Sequence, residues 1–394
     1  MRIFLDSQQN FVATFMSKFP FRFSAVSALL CILLGTGCIR YIPPTQDFQP
    51  IDTTPVVAVT QDAPVSFTNV DFKASDQEIN SFSALMRSLI DNRDFAGLEK
   101  VEAQYREKKE RFIGGGWKIH SILSIASAPN KENPTDDDWQ AHIALLSDWK
   151  SSMPDSILVR SILANTYLNW AWAARGNDYA NKVPESAWPM FRQRVDQAAE
   201  EVREAAKLNV RSQEFFETAI DIALAQSLDR EKKYELFHQA QQFDPTYQYI
   251  YTDMAYSLTQ KWGGRPGEWE HFADDIKQNI GGEGGLKLYY LMVNEVAGSD
   301  GPGFFQNNHV SWADIKAGFQ LIEKDYGVRR QGMNEFARLS IAANDTQASC
   351  EAFKQLPNAG PIEVSFWHSA EFFGKMKNIA DAMCKFPKVN NQAK

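Results

Sequence analysis

Apolar residues recur at helical spacing along most of this 394-residue chain, and no stretch sustains the alternation typical of a strand. The clearest case lies between Tyr234 and Gly264. Its proline disfavours helix for the residue before it, so the first helix is expected to end near Phe243 and the second to begin with Asp244 as N-cap. One apolar face then follows, made of Tyr247, Tyr251, Met254, Ala255 and Leu258. The pattern predicts an all-α fold.

The same stretch carries a repeat-like motif. Phe237, Ala240 and Pro245 follow the order F-x-x-A-x-x-x-x-P, which resembles the second half of a tetratricopeptide unit. Lys233 departs from that pattern, because the family usually has alanine there. The resemblance implies tetratricopeptide-like hairpins stacked as an irregular α-solenoid. The alternative is an ordinary helical hairpin in an all-α domain.

Three further phrases carry a wider resemblance. They read LSDWKSSMPDS around Trp149, NWAWAARGNDYA around Arg175 and QKWGGRPGEWEHFA around Trp262. Together they resemble an uncharacterised bacterial domain-of-unknown-function family with a tetratricopeptide-like helical fold, over residues 80–300. The resemblance implies a fold and no particular reaction.

The N-terminus predicts an address in the cell envelope. Lys18 and Arg22 precede an apolar run at residues 24–34, which is shorter than the roughly 20 residues that span a bilayer. The small residues before Cys38 resemble the lipobox of bacterial lipoproteins, which implies a cleaved signal and a lipid on Cys38. Gly35 departs from the lipobox, which usually has leucine there. The alternatives are an uncleaved signal anchor and a simple secretory signal.

Two neighbouring residues refine this prediction. Ile39 follows the cysteine where an aspartate would mark retention in the inner membrane, so the resemblance implies an outer-membrane protein that faces the periplasm. Residues 1–15 suit a signal poorly, which indicates Met16 as an alternative translation start.

The predicted domain organisation has four parts. A signal occupies residues 1–38, and a proline-rich disordered tether follows at residues 39–75. A helical repeat-like domain covers residues 76–300, and helical hairpins continue the array over residues 301–394. A glycine-rich run at residues 281–285 is predicted to be a flexible connector between helices.

Cysteine usage agrees with an oxidising compartment. Beyond the leader and Cys38, the chain contains Cys350 and Cys384 on two predicted neighbouring helices. An even pair in the periplasm can form a disulfide, and the alternative is two buried free thiols.

Composition and motifs argue against several classes of function. The net charge of −8 gives no reason to expect binding to nucleic acid. No zinc-protease motif, nucleophile elbow or phosphate-binding loop is present, so we predict no metal and no cofactor. Glycosidase acids leave no short signature, which keeps an envelope hydrolase acting on glycan or peptide as an alternative.

One group of side chains suggests a binding groove. Tryptophan and arginine are enriched in binding hot spots, and the candidates are Trp170, Trp172, Arg175, Trp262 and Arg265. The alternative interpretation, which we favour, is packing between helices. The sequence thus predicts a lipid-anchored envelope scaffold that binds a protein partner without catalysis. A cytoplasmic or inner-membrane-anchored scaffold is the further alternative.

Overall fold

The computed structural model describes residues 64–176, 180–299, 303–356, 367 and 369–385. These residues form sixteen α-helices, two short 3₁₀ turns and no strand beyond two isolated bridges, which confirms the all-α prediction. The predicted signal, the start at Met16 and the lipid site at Cys38 lie outside the described residues. Among the described residues, no helix has the length and apolar character that crossing a bilayer requires.

The helices are numbered in chain order. Their bounds are α1 Phe72–Asp91, α2 Phe95–Lys108, α3 Lys118–Ala126, α4 Asp136–Ser152, α5 Ile157–Arg175, α6 Ala187–Ala206, α7 Gln213–Ala225, α8 Arg230–Phe243, α9 Tyr249–Ser257, α10 Glu268–Ile280, α11 Gly282–Ser299, α12 Phe304–Asn307, α13 Trp312–Tyr326, α14 Arg330–Ala342, α15 Thr346–Gln355 and α16 Ala370–Lys385.

Short polar side chains fix where many of these helices begin. Ser156 caps α5 and Ser212 caps α7, because each hydroxyl accepts a hydrogen bond from a backbone N–H of the first turn. Thr135 and Asp138 form a reciprocal capping box at α4. Each such cap stabilises its helix by about 1 kcal/mol.

The turn between α8 and α9 differs from the prediction. Helix α8 ends at Phe243 as expected, but α9 begins only at Tyr249. Asp244 therefore does not cap α9. Its carboxylate instead accepts hydrogen bonds from the backbone N–H of Thr246 at 3.0 Å, from Lys109 Nζ at 3.0 Å and from Gln213 Nε2 at 2.8 Å. The turn is thereby tied to α7 and to the end of α2.

The predicted glycine-rich connector was also wrong. Only Gly281 separates α10 from α11, and the glycines after it belong to α11. A Cβ atom on Gly285 would lie 2.3 Å from the carbonyl oxygen of Lys277. These glycines let α10 and α11 approach each other closely. A glycine-rich sequence is equally compatible with such an approach and with a flexible connector.

Helices pack against both their immediate and their next-nearest neighbours in the chain. Each helix from α4 to α10 contacts the one that follows it, and α5, α7, α9 and α11 also contact one another in that order. We call these four helices the inner layer. Their mutual contact places residues from distant parts of the sequence side by side.

The segment before α1 packs against helices near the other end of the chain. The backbone N–H groups of Thr68 and Asn69 donate to one carboxylate oxygen of Glu323 on α13, at 2.7 and 2.6 Å. Val65 exchanges two hydrogen bonds with the side-chain amide of Gln347, at 2.8 and 2.7 Å. The predicted tether therefore extends too far, because its residues from 64 to 75 belong to the packed structure.

Cys350 on α15 and Cys384 on α16 are joined in a disulfide. The bond links two helices that also pack against each other. Cys350 is buried, whereas Cys384 lies near the end of its helix and is exposed.

Candidate functional site

A cavity of about 300 Å³ lies where α1 and α3 meet the first residue of α9 and the residue before α14. One wall is apolar and consists of Ile79, Phe82, Phe112 and Ile125. The polar lining consists of Ser83, His120, Ser121, Ser124, Tyr249 and Arg329. The cavity therefore combines an apolar wall with groups that can donate hydrogen bonds.

His120 connects this cavity to a buried carboxylate of the inner layer. Its Nδ1 lies 2.7 Å from Oε1 of Glu217 on α7, and the hydroxyl of Tyr247 donates to the other oxygen of Glu217. The imidazole is stacked on the ring of Tyr249, with ring centroids 3.5 Å apart. Burial, together with the charge of Glu217, raises the pKa of Tyr247 well above its usual value, so the phenol stays a donor.

Three more acids lie close to Glu217. Asp221 follows one turn later on α7, Asp253 is on α9 and Glu295 is on α11. Burial raises the pKa of each of the three, and repulsion by neighbouring acids raises it further. Asp221 and Asp253 are half-buried and Glu295 is exposed. We call these three residues the acidic group.

No cation of the described chain neutralises the acidic group. None of its three carboxyl groups forms an ion pair among the described residues. Oδ2 of Asp253 is buried without a hydrogen-bond partner in the same part of the chain. Buried polar atoms are usually hydrogen-bonded, so this carboxyl oxygen is an exception, whereas the other oxygen of Asp253 accepts from the hydroxyl of Thr252 at 3.3 Å.

A second, deeper pair of acids is sealed from solvent. Glu102 on α2 and Glu214 on α7 are 1% and 0% exposed. Burial and the neighbouring Glu214 raise the pKa of Glu102 to about 9, and the guanidinium of Arg106, 3.4 Å away, opposes them. Burial likewise raises the pKa of Glu214. At neutral pH Glu102 carries a proton that it can donate to Glu214. This pair is a structural element, because a ligand has no access to it.

Arg329 supplies the positive side of the cavity. It is half-buried, and its guanidinium forms no hydrogen bond or ion pair within the described parts of the chain. The hydroxyls of Ser83, Ser121 and Ser124 likewise have no hydrogen-bond partner there. No cluster of metal-binding geometry occurs among the described residues. The cavity therefore offers several donors that have no acceptor among the described residues.

Three of the five residues predicted to form a groove lie together in the structure. Trp172 and Trp262 meet edge to face with ring centroids 5.6 Å apart. The guanidinium of Arg175 lies 5.3 Å from the ring centroid of Trp172, 5.3 Å from that of Trp188 and 5.9 Å from that of Trp262. Arg175 is only 8% exposed, so it fills the space between the tryptophans. This arrangement resembles packing more than an open groove.

The other two predicted groove residues lie elsewhere. Trp170 donates from Nε1 to Asp136 at 2.7 Å, and the guanidinium of Arg194 lies 3.6 Å from its ring centroid. Arg265 is exposed.

Replacing Arg175 by alanine is expected to destabilise the protein by about 2 kcal/mol, because three cation–π contacts and a filled space are lost. Urea unfolding followed by circular dichroism measures this loss. Arg265→Ala is the control, since its side chain is exposed. Equal and negligible losses in both variants would contradict the packing role and restore the groove interpretation.

The sequence did contain one signal for the cavity site. Helix α7 reads QEFFETAIDIALA, in which Glu214, Glu217 and Asp221 interrupt an otherwise apolar run. Burying an acid within an apolar run costs more free energy than leaving it on a solvated helix face. The three acids of α7 therefore indicate that the fold compensates this cost around them. Only the three-dimensional structure shows that His120 contacts Glu217 and stacks on Tyr249.

Comparison of the chain with protein-family models, with curated proteins and with solved structures finds no match.

Proposed function

We propose that this chain is a non-catalytic binding protein of the bacterial cell envelope, built as a tetratricopeptide-like α-solenoid and anchored by a lipid on Cys38. It binds a segment of a partner protein at the cavity between α1 and α3. The supporting observations are the donors of that cavity, which have no acceptor among the described residues, and the acidic group, which forms no ion pair among them.

The packing of alternate helices supports the repeat architecture. Contacts between α7 and α9 and between α9 and α11, with α8 and α10 as the intervening helices, are the pattern expected of stacked hairpins. Such stacking produces a concave surface that commonly binds an extended segment of another protein.

The envelope address rests on the residues around Cys38, and the disulfide between Cys350 and Cys384 is compatible with it, because disulfides persist in oxidising compartments. Outer-membrane attachment facing the periplasm follows from the same resemblance. Metabolic labelling with a palmitate analogue tests the anchor. Labelling that survives Cys38→Ala would overturn it and leave an inner-membrane or cytoplasmic scaffold.

The acidic group indicates what the partner brings. An opposite charge within about 4–6 Å favours ionisation of a carboxyl group, so a lysine or arginine of a partner would stabilise these acids in their charged form. The half-exposed ring of His120 and its stack with Tyr249 offer an adjacent flat surface. A basic segment of a partner protein is the ligand class that the acidic group favours.

Site-specific photo-cross-linking in cells tests this position. A benzoylphenylalanine at Ser124, which is exposed at the cavity, is expected to capture a partner. The adduct should be lost when Asp253→Asn is added, because the amide removes the charge that the partner would induce. Arg192 on α6 is the control position, since it is exposed and contributes nothing to the cavity lining.

The positional comparison decides the outcome. An adduct at Ser124 that depends on Asp253 and is absent at Arg192 supports the proposal. Adducts that form equally at both positions, or that ignore Asp253→Asn, contradict it.

Hydrolysis of an envelope glycan or peptide is the second candidate. One observation favours it: burial and the neighbouring acids Asp221 and Glu217 raise the pKa of Asp253 well above its usual value, and glycoside hydrolysis uses one protonated and one ionised carboxyl group. Mass spectrometry of peptidoglycan fragments incubated with the protein tests it. Products that disappear in Asp253→Asn support the hydrolase, and unchanged fragments contradict it.

A further inference from the structure

The segment that precedes α1 lies in a groove whose polar side chains bond to its backbone. We call residues 64–70 the strap, and the groove is formed by α13, α14 and α15. The carboxylate of Glu323 is buried, and among the described residues it accepts hydrogen bonds only from Thr68 and Asn69. The side-chain amide of Gln347 likewise bonds there only to the backbone of Val65. The groove therefore recognises an extended backbone.

Two strap side chains enter the groove at alternate positions. Val65 is 1% exposed, and the next residue points to solvent. The ring of Phe67 meets those of Phe319 and Phe336 edge to face, with centroids 5.8 and 5.7 Å away, and these two rings are stacked on each other. This is the alternation of an extended strand. An aliphatic residue followed two positions later by an aromatic one is the pattern that the groove fits.

The strap itself has few buried contacts. Four of its seven residues are exposed and only Val65 is buried. Segments of this kind open locally at a small fraction of the free energy of global unfolding. Helix α1 is held separately by its contacts with α2 and α3. Asp71, which is exposed and caps α1, is therefore a hinge about which the strap can leave while α1 stays in place.

An empty groove would be unfavourable. Opening uncovers the rings of Phe319 and Phe336, and it removes from Glu323 the donors that the chain provides. The strap of a second copy has the same sequence and restores each of these contacts. Exchange between copies therefore conserves the interactions of the strap, which is the condition under which identical elements swap.

We propose that two copies of this chain exchange straps, so that residues 64–70 of each copy lie in the groove of the other. The occupant of the groove is thus a second copy of the chain. This interaction is separate from partner binding at the cavity, because neither the strap nor Phe319, Glu323, Phe336 or Gln347 lines that cavity.

Photo-cross-linking of the purified full chain tests the exchange. Benzoylphenylalanine replaces Phe67 in a heavy-nitrogen-labelled chain, which is mixed with unlabelled wild type and irradiated. Mass spectrometry is expected to find the labelled strap joined to unlabelled peptides that contain Phe319 or Phe336. Adducts that join only labelled strap to labelled groove would overturn the proposal. Benzoylphenylalanine at Phe243 is the control, because that side chain is exposed and outside the strap, and it should give no adduct with α13 or α14.

A competitor peptide shows whether the groove is the site of exchange. Acetyl-APVSFTNVD-amide copies residues 63–71 and should abolish the mixed-label adduct, whereas the same peptide with alanine in place of Phe67 should not. An adduct that persists with the first peptide would overturn the proposal.

Native mass spectrometry repeats the mixing without any substitution. Labelled and unlabelled wild-type chains are expected to form mixed-label dimers that the first peptide disperses and the alanine peptide leaves intact. Wild-type chains that stay monomeric after mixing would contradict the exchange. Irradiation in cells that joins the strap or its groove to a different protein, and never to a second copy, would also contradict it and would assign the groove to that protein.

Discussion

At pH 8, replacing Glu102 by glutamine is expected to stabilise the protein by about 2–4 kcal/mol, although the substitution lies in a fully buried position. Burial and the neighbouring Glu214 raise the pKa of Glu102 from 4.5 to about 9. The folded protein must therefore keep a proton on this group or bury its charge. Glutamine has the shape of the protonated acid and needs no proton.

The direction of the pH effect on stability follows from the protonation of Glu102 in the folded and unfolded states. Because the pKa of Glu102 is higher in the folded state, the folded chain binds one proton more than the unfolded chain between pH 4.5 and about 9. The contribution of Glu102 to stability is complete below pH 4.5 and is lost as the pH rises towards 9. Each pH unit in this window removes up to about 1.4 kcal/mol.

Urea unfolding at pH 5 and pH 8 measures the effect. The wild type should lose stability over this interval, and Glu102→Gln should lose less, so that the two proteins nearly coincide at pH 5. Glu200→Gln is the control, since Glu200 is exposed and pairs with Arg203 on the surface of α6. A Glu102→Gln protein that is as destabilised at pH 8 as at pH 5 would show that Glu102 is ionised in the fold.

Replacing Asp345 by alanine is expected to cost about 3–5 kcal/mol, because it leaves a buried lysine without its counter-ion. Asp345 lies 2.9 Å from Nζ of Lys316, and both side chains are at most 5% exposed. The same carboxylate accepts from Nε1 of Trp312 at 2.9 Å and from the backbone N–H of Ala348 at 3.0 Å, which caps α15. One substitution thus removes an ion pair, a tryptophan partner and a helix cap.

An exposed ion pair provides the comparison. Glu283 lies 3.2 Å from Nζ of Lys324, and both side chains are more than half exposed. Glu283→Ala should cost less than about 1 kcal/mol. Chemical denaturation of the two variants measures the difference, and similar losses would contradict the account of the buried pair. Asp345→Ala also removes the N-cap of α15, which is the helix that carries the disulfide-bonded Cys350.

Helices were predictable because their signals are local. The end of α8 at Phe243 follows from the proline two residues later, and the buried face of α9 follows from the helical spacing of Tyr251, Met254 and Ala255. Asp244 was assigned the wrong role because its partners Lys109 and Gln213 are remote in sequence. The predicted tether is too long for the same reason. Asn69 belongs to the packed structure because it donates to Glu323, which is 254 residues away along the chain.

The candidate site could not be predicted from periodicity or motifs. His120 and Glu217 are 97 residues apart, and nothing in the sequence around either of them indicates the other. Aromatic residues drew attention to Trp172 and Trp262 instead, but their arginine partner is already supplied by the chain. Acids within the apolar run of α7 were the informative feature, because burying a carboxyl group is costly unless the fold compensates it.

The account depends on carboxyl groups on α2 and in the inner layer whose pKa is raised by burial and by neighbouring acids, so that they keep a proton in the folded protein. Infrared spectroscopy of the ligand-free protein at pH 7.5 observes this directly, since a protonated carboxyl group absorbs apart from an ionised one. We predict a protonated-carboxyl band that weakens in Glu102→Gln and weakens further when Asp253→Asn is added. A wild-type spectrum in which every carboxyl group is ionised at that pH would contradict the account.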